Sequence, residues 1–172
     1  MSQEVSLSNK RLAVRGAHSA HPEHLTIEEL DRKLIAALER DCRRSNRELA
    51  VELQVSPSTV ITHVENLEEA GLVKGYAAML DHQKLGYELT AVVEVIVSKG
   101  KLLEMEKEIA KVPGVCAVYD VTGATDGIVI GKFRDREELS RFAKSLLAMP
   151  FVERTNTHIV LTTVKEDFRL PP

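Results

Sequence analysis

Between Ser45 and Gly71 the chain reads SNRELAVELQVSPSTVITHVENLEEAG, and few arrangements accommodate such a stretch. Ser45 and Glu48 stand three apart, the spacing of a capping box in which each side chain satisfies a backbone N–H at a helix start. Leu49, Ala50 and Leu53 then share one helical face. Gln54-Val55-Ser56 breaks the run and offers one apolar side chain to wedge between helices. Ser56 suits an N-cap, and Pro57 suits the first helical position, where its missing N–H has no partner to lose. In the helix that follows, Val60, Val64 and Leu67 obey the i, i+4, i+7 rule and turn inward, with Ile61 and Ala70 flanking. The stretch is two short helices joined by a tight turn.

The second helix is left with Ser58, Thr59, Thr62, His63 and Asn66 on its outer face. An ordinary solvated face carries Lys and Glu instead. Short hydrogen-bonding side chains near a helix N-terminus are what base-edge and phosphate contacts in a major groove require. Two readings follow from these residues: a helical hairpin inside a core, or a helix-turn-helix presented to duplex DNA.

Charge bears on that choice. The 172-residue chain has 23 Lys and Arg against 26 Asp and Glu, a formal net charge of −3. Leu25 to Leu80 holds seven basic and ten acidic residues, so the region is not basic overall. Positive charge is focused at Arg40, Arg43, Arg44 and Arg47, with Lys74 further on. Phosphate contacts supply most non-specific affinity, so one copy should bind weakly and several copies on one duplex are expected. No apolar run approaches the roughly 20 residues that span a bilayer, and the start lacks a signal-peptide core, so a cytoplasmic protein is expected. Cys42 and Cys116 are isolated and read as reduced thiols.

Residues 1–24 show no periodicity and read as a poorly ordered extension. His18, His21 and His24 stand at intervals of three, but lack Cys or acidic partners and are interrupted by Pro22; a flexible tail is the simpler reading. Lys10, Arg11 and Arg15 offer an alternative role as a minor-groove arm. Thr26 to Arg40 reads as a helix with Ile27, Leu30, Leu34 and Leu38 as its stripe and a Thr26–Glu29 capping box. Leu72 to Leu80 reads as a strand, which places a winged-helix-like unit at residues 25–80 and a hinge at 81–87.

From residue 88 to 168 the pattern changes. LTAVVEVIV is β-branched and reads as a buried strand. Leu102, Met105, Ile109 and Val112 mark a helix stopped by Pro113-Gly114. Val115 to Thr122 and Ile128 to Phe133 read as strands joined by a turn, Leu139 to Leu146 as a second helix, and Thr155 to Lys165 as a final strand. The order β-α-β-β-α-β is the ferredoxin-like plan, so the whole is α+β. Its first strand is apolar on both sides, with Leu89, Val93, Val95 and Val97 opposite Val92 and Ile96. A second copy of the chain is the simplest cover for a bare face of that kind.

The stretches IEELDRKLIAALERDCRRSNRELA, VSPSTVITHVENLEEAGLVKGYAAMLDHQKLG, VTGATDGIVIG and TNTHIVLTTVK together resemble the Lrp/AsnC, or feast/famine, family of prokaryotic transcription regulators. The resemblance spans Ile27 to Lys165. It implies double-stranded DNA as partner, a homodimer that assembles into tetramers or octamers, and a C-terminal domain that senses a small molecule. It matches the recognition helix to Pro57–Ala70 and its base-contacting face to Ser58, Thr59, Thr62 and His63. Relatives often carry Arg at the positions of Thr62 and His63. Arg43 matches a basic position, and Arg44 stands where relatives are apolar, adding backbone contact. With Arg47, Ser56 and Asn66 these make the expected DNA-binding set.

The family's effector pocket, formed between dimers, matches Thr122, Gly123, Ala124, Thr125 and Asp126, which makes an amino acid the implied ligand class. Loop amides can hold a carboxylate and an Asp can accept from an amino group. Turn formation alone would also explain Gly123 and Asp126. Gly127 stands where relatives commonly have a larger apolar residue. Some relatives of this architecture resemble haem-pathway decarboxylases, and an effector-binding adaptor without DNA binding is a further reading. The chain shows no nucleophile–base pair, metal cluster or cofactor motif, with His63 and His158 read as solitary. A regulator, not an enzyme, is expected.

Overall fold

The computed structural model describes residues 27–98, 100–170 and 172, so the N-terminal extension, its histidines and basic residues, and the Thr26 cap all lie outside the described residues. The chain divides into two compact units: one reaches to Ala78 and takes in Asp167–Pro172, and the other is Met79–Glu166.

The first unit packs three helices, α1 (Glu29–Arg40), α2 (Asn46–Leu53) and α3 (Pro57–Glu69). Helix α1 starts later than its apolar stripe suggests. Glu28 is its N-cap and closes a capping box with Asp31, each side chain meeting the other's backbone N–H. The Ser45–Glu48 box opens α2, and the Ser56 hydroxyl accepts the Thr59 N–H at the start of α3. Gln54 ends α2 in the left-handed region (φ 57°), and the Val55 N–H reaches back 3.0 Å to the Ala50 carbonyl. That reversal is the tight turn. A core of Leu34, Ala37, Leu49, Ala50, Val60 and Leu67 joins all three helices.

The expected strand over Leu72–Leu80 does not form. The Leu72 and Val73 N–H groups both bond the Leu67 carbonyl and finish α3, and the residues that follow pair with no strand among those described. A strand needs a partner for its backbone groups, and its sequence alone does not supply one.

The second unit is a four-stranded antiparallel sheet of β1 (Leu89–Val97), β2 (Val115–Asp120), β3 (Gly127–Phe133) and β4 (Val152–Ile159), in the order β2-β3-β1-β4. Helices α4 (Leu102–Ile109) and α5 (Arg136–Leu147) complete the ferredoxin-like plan. Ala91, Val93, Val95, Val129 and Phe133 point to the helices and meet Met105, Ile109, Leu139, Phe142 and Leu146. The Phe133 and Phe142 rings lie 5.1 Å apart. Gly114 (φ 88°) makes the entry to β2, where an added Cβ would come within 2.7 Å of the Lys132 carbonyl. Strand β4 begins before Thr155 and ends well short of Lys165. Its pairing with β1 reaches Ala91–Ile159, and after the Val160 N–H bonds Thr90 the central strand offers no further length.

Strand alternation sends Val92, Glu94 and Ile96 of β1, and Ile128, Ile130 and Lys132 of β3, to the face away from the helices. No described helix is long and apolar enough to cross a membrane.

The turn between α2 and α3 is open to test. Gln54→Val should destabilise the chain by about 1–2 kcal/mol, because a β-branched residue resists the left-handed region, whereas Gln54→Asn should be close to neutral. Urea unfolding of the two variants beside the unaltered chain measures the difference.

Candidate functional site

The N-terminus of α3 is built by hydroxyls. Ser56 Oγ lies 2.7 Å from Ser58 Oγ and 2.8 Å from Thr59 Oγ1, and accepts the Thr59 N–H at 3.1 Å. Ser58, Thr59, Thr62 and His63 line a shallow open concavity of about 280 Å³. Asn66 lies one turn further along and is exposed. The structure therefore gathers on one face the polar residues named from the sequence. Helix α3 carries Glu65, Glu68 and Glu69 but no Lys or Arg. Glu68 accepts the Tyr76 hydroxyl at 2.8 Å.

His63 is not solitary. Its Nδ1 lies 2.7 Å from Asp31 Oδ1 on α1, and the ring is half-buried. Glu28, Asp31 and His63 offer ligand atoms within 4.8 Å of one another. Those carboxylates are already used, since Glu28 and Asp31 cap each other's backbone and Asp31 also receives the imidazole. The trio locks the start of α1 to the middle of α3. Asp31 carried no sequence signal for this role, because it stands 32 residues from its partner.

The arginines are more engaged than their charge suggests. Arg43 Nε donates to Asp41 at 2.9 Å. Arg44, three-quarters buried, pairs with Glu52 and donates to the Glu48 carbonyl at 3.2 Å. Its polar end thus joins the two ends of α2 internally. Arg40 also reaches Glu52, at 3.2 Å. Arg47 forms no ion pair among the described residues.

These contacts set a pH dependence. The Ser45 hydroxyl and then the Ser45 N–H hold the Glu48 carboxyl below the usual 4.5, and the Arg44 guanidinium, with Arg40, does the same for Glu52. Folded values below unfolded ones mean stability that is complete above about pH 4.5 and lost as the pH falls through the folded values. Glu48→Gln should flatten this acid limb of a far-UV circular dichroism titration.

In the second unit, Thr122, Gly123 and Ala124 are exposed, while Thr125 and Asp126 are tied to β1. Thr125 Oγ1 donates to the Val95 carbonyl at 2.8 Å, and Asp126 Oδ2 accepts the Val97 N–H, also at 2.8 Å. The carboxylate therefore closes the end of β1, a task that turn propensity and ligand chemistry both leave out. Asp126→Ala should cost about 1–3 kcal/mol by orphaning that N–H, whereas Asp126→Asn keeps a carbonyl for it; thermal unfolding of the pair separates them.

A family model described as the Lrp/AsnC ligand binding domain matches residues 90–170, and one described as a winged helix-turn-helix DNA-binding domain matches residues 27–74. An uncharacterized HTH-type transcriptional regulator of Pyrococcus furiosus is 47% identical over 148 residues, which cover 86% of this chain and 100% of that protein. The HTH-type transcriptional regulator FL11 of Pyrococcus horikoshii is 35% identical over 145 residues, covering 84% of this chain and 96% of its own. Among solved structures, a Neisseria meningitidis transcriptional regulator in complex with L-Met aligns with a TM-score of 0.78 at 30% identity, covering 85% of this chain and 97% of that one. E. coli AsnC aligns at 0.80 and 24% identity, covering 86% and 100%, and shares the fold. With both halves matched in order, and with relatives covered almost end to end, the chain belongs to the Lrp/AsnC family and is a helix-turn-helix DNA-binding transcription regulator with an Lrp/AsnC ligand-binding domain.

Proposed function

We propose that this regulator binds a specific duplex sequence as a homodimer or larger homo-oligomer, beside the genome in the cytoplasm, and that an amino acid modulates the binding. The observation that carries the reading is the outer face of α3, where Ser58, Thr59, Thr62 and His63 line one open concavity at a capped helix start. Hydrogen-bonding groups in that position suit base edges and phosphates, and Arg47 and Asn66 extend the contact.

Assembly follows from two features. Helix α3 has no cation of its own to draw phosphates, so several weak units must act together. The bare sheet face carries Val92, Ile96, Ile128 and Ile130, and a second copy of the same face would remove them from water. The effector reading rests on the exposed amides of Thr122, Gly123 and Ala124, which suit a carboxylate, beside the charge of Asp126 for an amino group. The L-Met bound to the Neisseria protein is a ligand of that class.

Selection from a random duplex pool, followed by fluorescence anisotropy across a salt series, tests the proposal. A palindromic enriched site whose affinity falls steeply with salt is the expected result. Thr62→Glu should weaken binding at least tenfold with the helical signal unchanged. Amino acids, methionine included, should shift the anisotropy curve of the unaltered chain, and Asp126→Asn should remove the shift while leaving basal binding. A pool that yields no enriched sequence would overturn the proposal.

A further inference from the structure

We propose that Asp31 determines what the recognition helix reads through His63, by fixing the tautomer of the imidazole. The inference rests on α3 being the helix that enters the groove. Asp31 Oδ1 is a carboxylate oxygen and can only accept, so the Nδ1 that lies 2.7 Å away carries the proton. In the neutral ring Nε2 is then a bare lone pair. The same ring lines the outer concavity together with Ser58, Thr59 and Thr62.

A fixed acceptor on that face selects a donor. In the major groove the donors are the exocyclic amino groups of adenine and cytosine. An imidazole held by nothing would interconvert between tautomers and could either accept or donate at Nε2. Asp31 is thus a positioning residue, acting on DNA through His63 alone.

The charged groups that face the ring are Asp31 and Glu28 of α1. Within α3, Thr59 and Asn66 lie about one turn from His63 and Thr62 directly precedes it, and all three are uncharged. On α2, the Glu48 and Glu52 carboxylates are turned to Ser45 and to Arg40 and Arg44.

The test uses the full chain labelled with ¹⁵N-histidine. A two-bond ¹H–¹⁵N correlation at pH 8, with His63 assigned by its absence in His63→Ala, should show Nδ1 protonated and Nε2 bare. Asp31→Ala should give averaged tautomers. Duplex selection at pH 8 should enrich adenine or cytosine at one position per half-site, at least fivefold over guanine and thymine. His63→Ala should lose that preference and keep the rest of the site; alanine is a strong helix former and leaves α3 intact. A protonated Nε2 at pH 8 overturns the proposal, as does enrichment of the same bases by His63→Ala. Failure of both proteins to enrich any sequence, with the ring in the expected tautomer, overturns the groove-binding reading of α3 and the base preference with it.

Discussion

The packing of α1 across α2 and α3 is the constraint on which the DNA-binding unit depends. Helix α2 has eight residues and α3 thirteen, lengths at which an isolated helix is marginal in water. Neither holds its shape without Leu34 and Ala37 of α1 to complete the core with Leu49, Ala50, Val60 and Leu67. Caps then remove the remaining freedom. Ser45 and Glu48 fix where α2 begins, left-handed Gln54 fixes where it ends, and Ser56 with Pro57 fixes the start of α3. The polar face of α3 is aimed because its apolar face has one place to go.

The same unit spends most of its charge internally. Arg40 and Arg44 converge on Glu52, and Arg43 is held by Asp41. The Arg40 and Arg43 pairs are more exposed than the Arg44–Glu52 pair and of small individual worth, and high salt weakens them. Their larger effect is on function: they leave little free positive charge near an acidic recognition helix. On the proposed DNA-binding reading, affinity then draws on hydrogen bonds, on Arg47 and on the dipole of α3.

In the sheet domain, a few polar contacts decide the shape of the loop between β2 and β3. Thr125 and Asp126 are anchored to the backbone of β1, while Thr122 to Ala124 stay exposed. Half of the loop is thus rigidly placed and half is available. The face opposite the helices is apolar at Val92, Ile96, Ile128 and Ile130, but Glu94 is bridged to Asn156 at 3.1 Å in its midst. His158, Arg154 and Lys132 share that face, and His158 Nε2 lies 3.4 Å from Glu94, so polar groups break up its apolar surface.

Local rules were enough for much of this. The capping boxes, the Pro57 start, the inward stripe of α3, the alternation of β1 and the βαββαβ order are all set by neighbours a few residues apart, and periodicity reports such information directly. Boundaries were less legible. The segment after α3 has strand-like residues but no partner, and β4 stops where β1 runs out, so pairing overrode propensity in both places. The sequence by itself determined the element order, the two-part organisation and which residues face outward on the recognition helix. Only the tertiary structure decided that His63 is held by Asp31, that Arg44 is bound to Glu52 and that Asp126 caps Val97. Those pairs join residues on different elements, and their meeting depends on how helices and strands pack, which no local spacing encodes.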